Sequence, residues 1–166
     1  MSNIPRFSCL AQFSGSPKRD SIRSTMATNP KEHLRVPPHN IEAEMSVLGS
    51  LMLDKDAIIK VADIARVGDF YKDHHNTIYE AILKLYEDRE PIDVLSLANR
   101  LEEISQLEKV GGSSYLASLV NTVPSASNVV HYAKVVQKKA LLRRLIGAAS
   151  DIVEMGFDES EDVHKV

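Results

Sequence analysis

Cysteine occurs once in the 166 residues, at Cys9, and tryptophan not at all. A lone cysteine cannot form an internal disulfide, and six scattered histidines without a second cysteine offer no zinc-ligand spacing. A reducing compartment is therefore expected. Apolar runs stop at three residues, as in Leu51 to Leu53 or Ala140 to Leu142, whereas a bilayer span needs roughly 20. No membrane helix is expected. None of the seven glycines precedes Lys-Ser or Lys-Thr, so the phosphate-binding pattern G-x-x-x-x-G-K-[ST] is missing from this stretch. Any ATP chemistry is expected to lie elsewhere.

A 43% hydrophobic share with 26% charged residues suits one soluble core, and the length suits a single domain plus a tail. Charge divides the chain. Residues 1–35 hold six Lys/Arg against Asp20 and Glu32, while residues 36–166 hold 14 basic against 21 acidic side chains. The basic segment has six serines and no apolar periodicity, so a disordered tail is expected. Its composition overlaps with organelle transit peptides; the plainer reading is a solvated arm, or a start codon placed ahead of the true start at Met26. The acidic body argues against nonspecific nucleic-acid binding, which needs a clustered cationic surface.

The body reads as all-α, with a head over 36–124 and an arm over 125–166. Asn40 caps a first helix with Ile41, Met45, Leu48 and Met52 at helical spacing and Glu42 and Glu44 in its first turn. Ser46, Gly49 and Ser50 form a small-residue strip where another helix can approach. A second helix over 56–65 points Ile58, Ile59, Ala62 and Ala65 inward before Gly68 stops it. A third, over 73–88, carries His75, Ile78, Tyr79, Ile82, Leu85 and Tyr86, with Glu80 and Lys84 paired outside. Asp93 caps a fourth with Leu95, Leu97, Ala98 and Leu101. Gly111-Gly112 starts a short fifth that buries Leu116 and Leu119.

Ser127 to Met155 contains no proline and one glycine, which predicts a helix of roughly 43 Å. A domain of this size has a radius of gyration near ~14 Å, so part of that helix should project from the head. Its apolar stripe Val129, Ala133, Val136 and Ala140 is followed by two more. One is Leu141, Leu145, Ala148 and Ile152; the other is Leu142, Ile146, Ala149 and Val153. So wide an apolar arc needs a partner. Gly156 and Asp158-x-x-Glu161 then signal a stop and a second helix, making a helical hairpin whose second arm is cut at Val166. The expected self-association or partner interface is Val129, Ala133, Val136, Ala140, Leu141, Leu142, Leu145, Ile146, Ala149, Ile152 and Val153, with Arg143 and Arg144 at its rim.

Catalytic candidates are sparse. Glu42/Glu44, Asp54/Asp56 and Glu102/Glu103 stand one or two apart, where helical side chains do not converge, so each reads as a cap or solvated face. His74-His75 lacks an accompanying nucleophile pattern and reads as a partly buried helix start. Lys138-Lys139 and Arg143-Arg144 read as an outer face, or as a contact for an acidic partner.

The stretch VPPHNIEAEMSVLGSLMLD, residues 36–54, resembles the opening of bacterial replicative DNA helicases of the DnaB family. Asp69-Phe70-Tyr71 with residues 78–82, Val110-Gly111-Gly112 with Tyr115-Leu116, and Val123 to Ala126 leading to Lys139 to Leu145 follow in that family's order. The resemblance covers residues 36–166 and implies the N-terminal domain of a hexameric ring helicase: a helical head plus hairpin whose pairs build a trimer-of-dimers collar. It also implies docking of primase, a possible helicase loader, and a place at the cytoplasmic replication fork. ATP and Mg2+ would serve 5'-to-3' unwinding in the full-length protein, not in this segment, where no catalytic, cofactor or metal residue is expected. DNA would be met only through the whole ring. The rival is a small helix-turn-helix DNA-binding regulator, which the acidic body should make a poor DNA binder.

Overall fold

The computed structural model describes residues 36–123 and 125–157. The expected disordered tail over 1–35 and the expected second arm helix from Asp158 lie outside the described residues.

Those residues form six α-helices. Pro37 and Pro38 lead to Asn40, whose extended backbone and side-chain oxygen, 3.0 Å from the Ala43 N–H, open α1 (Ile41–Leu53). Asp54 turns the chain by accepting from the Asp56 N–H at 3.0 Å, and α2 (Ala57–Ala62) follows. After Gly68, at φ 91°, the chain enters α3 (Asp73–Glu87). Asp93 caps α4 (Val94–Glu103) through the Ser96 N–H at 2.8 Å. Gly111, at φ 102°, leads to α5 (Gly112–Thr122) as a helix start. A 3-10 turn at Ala126–Asn128 then precedes α6 (Val129–Phe157).

α1 sits at the centre, with α5, α6 and α3 against it; α4 closes on α3 and α5, and α2 lies on α6. Val47, Leu48 and Leu51 are wholly buried with Ile58, Ile78, Ile82, Leu85, Leu97, Leu101, Leu116 and Leu119. Each such side chain contributes about 1.5–3 kcal/mol. The small-residue strip has its expected use at Gly49, where a Cβ would collide with the Leu119 carbonyl oxygen and lie 2.7 Å from Val123 Cγ2.

Several inward assignments are corrected. Ile41 and Met45 are only half-buried because three neighbouring helices shift the buried surface of α1 onto Ala43, Glu44 and Val47. Ile59, Ala62 and Leu95 are exposed: α2 is six residues long and α4 buries only Leu97, Ala98 and Leu101. Tyr86 is exposed as well. Lys84 pairs with Glu87 and Asp88 instead of Glu80.

Candidate functional site: the projecting arm and its anchor

α6 changes environment halfway along. Val129, Ala133, Val136 and Ala140 face the head core and are at most 2% exposed. The expectation that these four belong to an external interface is therefore corrected: they are the root that fixes α6 to the head. From Gly147 every described residue is exposed, and so are Arg144, Leu145 and Ile146 before it. Thirteen residues, Leu145 to Phe157, thus project about 20 Å at 1.5 Å each.

The apolar face also changes sides. At 3.6 residues per turn, Leu141, Leu145 and Ile152 lie about 110–150° round the helix from the line of Val129 to Ala140. Leu142, Ala149 and Val153 lie about 130–170° from that line on the other side, and the six residues together cover an arc of about 120°. Gly147, Ser150, Asp151 and Glu154 prolong the line that had faced the core. The exposed apolar surface looks away from the head: Leu141 is 59% exposed, Leu145 64% and Ile152 67%. Ile146 and Val153 are exposed too, and Phe157 stands 82% exposed at the end.

Arg143 and Arg144 bind the arm to the head where it departs. Arg143 donates through Nη1 to the Pro38 carbonyl at 2.8 Å and through Nη2 to the Asp69 carbonyl at 2.6 Å. Its guanidinium lies 5.7 Å from the centre of the Tyr71 ring, which stacks on His39 at 4.4 Å. Arg144 Nη1 meets Asp69 Oδ1 at 2.7 Å, and Asp69 Oδ2 accepts from the Arg66 N–H at 2.9 Å. Lower on α6, Gln137 donates to the Ile64 carbonyl at 2.8 Å. Two arginines expected at an interface rim thus hold the arm's root. Asp69, expected only as a turn residue, is buried and receives both; no periodic signal could have marked it.

A second polar cluster lies inside the head. His75 is fully buried, with Nδ1 donating to Glu44 Oε2 at 2.7 Å and Nε2 2.7 Å from the Tyr115 hydroxyl. Glu44 Oε1 accepts from the Tyr71 N–H at 2.7 Å. Glu44 is therefore no solvated first-turn acid, and His75 is wholly rather than partly buried. Carboxylate, imidazole and hydroxyl stand in the order of a nucleophilic relay, but here the hydroxyl is a phenol and the imidazole is fully buried. The trio cross-links α1, α3 and α5. Burial, with Glu44 nearby, raises the Tyr115 pKa. Burial, with Asp69 nearby, pushes Tyr79 up to about 12. Partial burial, then neighbouring His75 and Lys72, holds His74 below the ordinary imidazole value.

Among the described residues no group of three or more His, Cys, Asp or Glu could hold a metal ion, and no helix is long and apolar enough to cross a membrane.

The described residues make an all-α domain, a helical head whose last helix runs on as an anchored arm with an exposed apolar face. The chain belongs to the DnaB-like helicase N-terminal domain family, whose model matches residues 36–138. It is 43% identical to the replicative DNA helicase DnaB of Leifsonia xyli over 129 residues, covering 78% of this chain and 28% of that protein. It is 45% identical to the DnaB of Mycobacterium leprae over 127 residues, covering 76% and 21%. The chain thus spans about a quarter of the length of these relatives. Among solved structures, the N-terminal domain of DnaB helicase from Mycobacterium tuberculosis superposes with TM-score 0.76 at 44% identity, covering 78% of this chain and 92% of that one. A DnaB-like replicative helicase, described with its interactions with primase, gives TM-score 0.61 at 27% identity, covering 69% of this chain and 27% of that one. The all-α fold read from the sequence agrees with both.

Proposed function

We propose that this chain serves as the self-association and partner-docking domain of a hexameric replicative DNA helicase. The supporting observation is the outward apolar face of α6, from Leu141 to Val153, held at a set angle by Arg143 and Arg144. Large apolar side chains left 50–70% exposed on a single helix are stable in water only at a cost that pairing removes. A second copy would supply one covering surface, as in a collar of paired arms. Primase would be the other, a reading supported by the similar helicase described with primase. A helicase loader would approach the same collar.

ATP- and Mg2+-driven unwinding, 5' to 3', would be performed by a motor domain of the longer protein, in the cytoplasm at the replication fork. Residues of this chain do not fit that nucleotide: the phosphate-binding pattern is missing, and Gly111 packs toward Tyr115 in a plain helix start. No step through ATP is assigned to them.

The test is sedimentation velocity of the chain, alone and with primase, for Leu142→Asp and Ile146→Asp. Both variants should keep a folded head and lose self-association or primase binding. Unchanged sedimentation and unchanged primase binding in both would overturn the reading.

A further inference from the structure

Beyond Ala140 no described residue of α6 is buried, so the direction of the arm rests on the polar contacts at its root. Those contacts are unequal. On one side of Arg143 stands the loop over 66–71, which the core holds at several points. Asn76 of α3 accepts from the Gly68 and Phe70 N–H groups at 2.9 and 3.2 Å and donates to the Phe70 carbonyl at 3.0 Å. Glu44 of α1 takes the Tyr71 N–H, and Asp69 closes on the Arg66 N–H. The Asp69 carbonyl that receives Arg143 is a fixed post.

On the other side lies the entry strap, residues 36–39. Pro37 and Pro38 carry no N–H, and among the described residues no backbone-to-backbone hydrogen bond ties 36–39 to the head. Two side chains hold the strap. Arg143 Nη1 donates to the Pro38 carbonyl at 2.8 Å, and the Tyr71 ring carries the His39 ring stacked on it, their planes 19° apart. His39 Nδ1 donates to the Pro37 carbonyl at 2.8 Å, which fixes that ring to the strap itself. Tyr71 is shared, since the Arg143 guanidinium also lies over its ring. A segment with so few contacts, ending in a Val36 that is 65% exposed, opens at low cost.

We infer that residues 36–39 are a releasable clasp on the arm. Docked, the strap gives Arg143 its second carbonyl and fixes the angle of α6; released, it leaves Arg143 only Asp69 and Tyr71, and the arm swings. His39 and Tyr71 are the positioning residues of this clasp. The coupling is reciprocal, because a strap contact that favours one arm angle is itself favoured by that angle. The lever is long. Phe157 stands fourteen residues beyond Arg143, about 21 Å at 1.5 Å each, so a swing of about 10° at the root shifts it by about 4 Å. The clasp goes beyond the docking reading and stands without it.

The experiment uses the full chain with Cys9→Ser and spin labels at Glu80→Cys on the head and Glu154→Cys on the arm, diluted until sedimentation shows a monomer. His39→Ala should broaden the head-to-arm distance distribution by about 3 Å or more, and Pro37→Gly/Pro38→Gly/His39→Ala should broaden it further. His39→Phe, which keeps a flat ring for Tyr71, should leave it narrow. Urea unfolding midpoints of all three should match the unaltered chain. In the reverse direction, a single label at Val36→Cys should gain mobility in Arg143→Lys, whose ammonium lacks the planar fork that spans two carbonyls. A narrow distribution in the triple variant, or an unchanged Val36 label in Arg143→Lys, overturns the clasp. Broadening accompanied by a lowered urea midpoint overturns it too, because the slack would then lie in the head. A chain that never self-associates would overturn the docking reading alone, since the distances are read on the monomer.

Discussion

Arg143 Nη2 donates to the backbone carbonyl of Asp69 at 2.6 Å, joining residues 74 positions apart at the point where α6 leaves the head. Its other terminal nitrogen holds Pro38, so one planar guanidinium bridges the entry segment and the loop before α3. The arm's direction is thereby set by the head rather than by the helix alone.

Arg143→Ala should cost about 2 kcal/mol, since two carbonyls lose a charged donor. Arg144→Ala, at a side chain 58% exposed, should cost under about 1 kcal/mol. Urea unfolding midpoints measure both. Spin-label distances between head and arm should broaden for Arg143→Ala; equal distributions would deny that this residue sets the arm angle.

Gly49→Ala and Gly147→Ala should have opposite signs. The first drives a methyl into the Leu119 carbonyl and should destabilise by about 1–3 kcal/mol. The second meets nothing within 4 Å on an exposed helix and should stabilise by up to about 1 kcal/mol. Thermal unfolding of the two variants decides.

Aspartate at the root and on the arm should separate core from interface. Val136→Asp buries an unpaired carboxylate and should abolish the folding transition or lower stability by about 3 kcal/mol or more. Ile152→Asp, on a residue 67% exposed, should leave head stability within about 0.5 kcal/mol. Comparable losses would mean that the arm packs on its own head.

Acid stability should respond to His74. Its folded-state pKa lies below the unfolded value of 6.5, so the unfolded chain takes up the proton first as pH falls. Stability should decline below pH 6.5 until the folded-state value is passed. His74→Asn should flatten that part of the profile, and an unchanged slope would assign the acid loss to other groups.

At alkaline pH the sign comes from Tyr79. Its phenol titrates near 12 when folded and 10.0 when unfolded, so the folded state keeps the proton longer. Stability should fall between about pH 10 and pH 12, and Tyr79→Phe should reduce that dependence, leaving the part that Tyr115 carries, at the cost of its 2.8 Å hydrogen bond to the Ala65 carbonyl. Unfolding followed across that range measures both effects.

Local chemistry alone determined much of this protein. Asn40 and Asp93 announce helix starts because a short side-chain acceptor answers the free first-turn amides. The stretch after Pro124 is a long helix because nothing in it breaks one, and the motif set from Val36 to Leu145 marks the family. Only the tertiary structure decided which side of α1 and α6 is inner: periodicity gives angles along one helix, not the number of neighbours around it. It alone brought Glu44 to His75 and Tyr115, and Asp69 to Arg143 and Arg144. Those partners lie 31 to 75 residues apart, and polar contacts across such distances leave no pattern in nearby sequence. The arm's outward apolar face is the joint product: composition made it apolar, and the head's claim on Val129 to Ala140 turned the rest away.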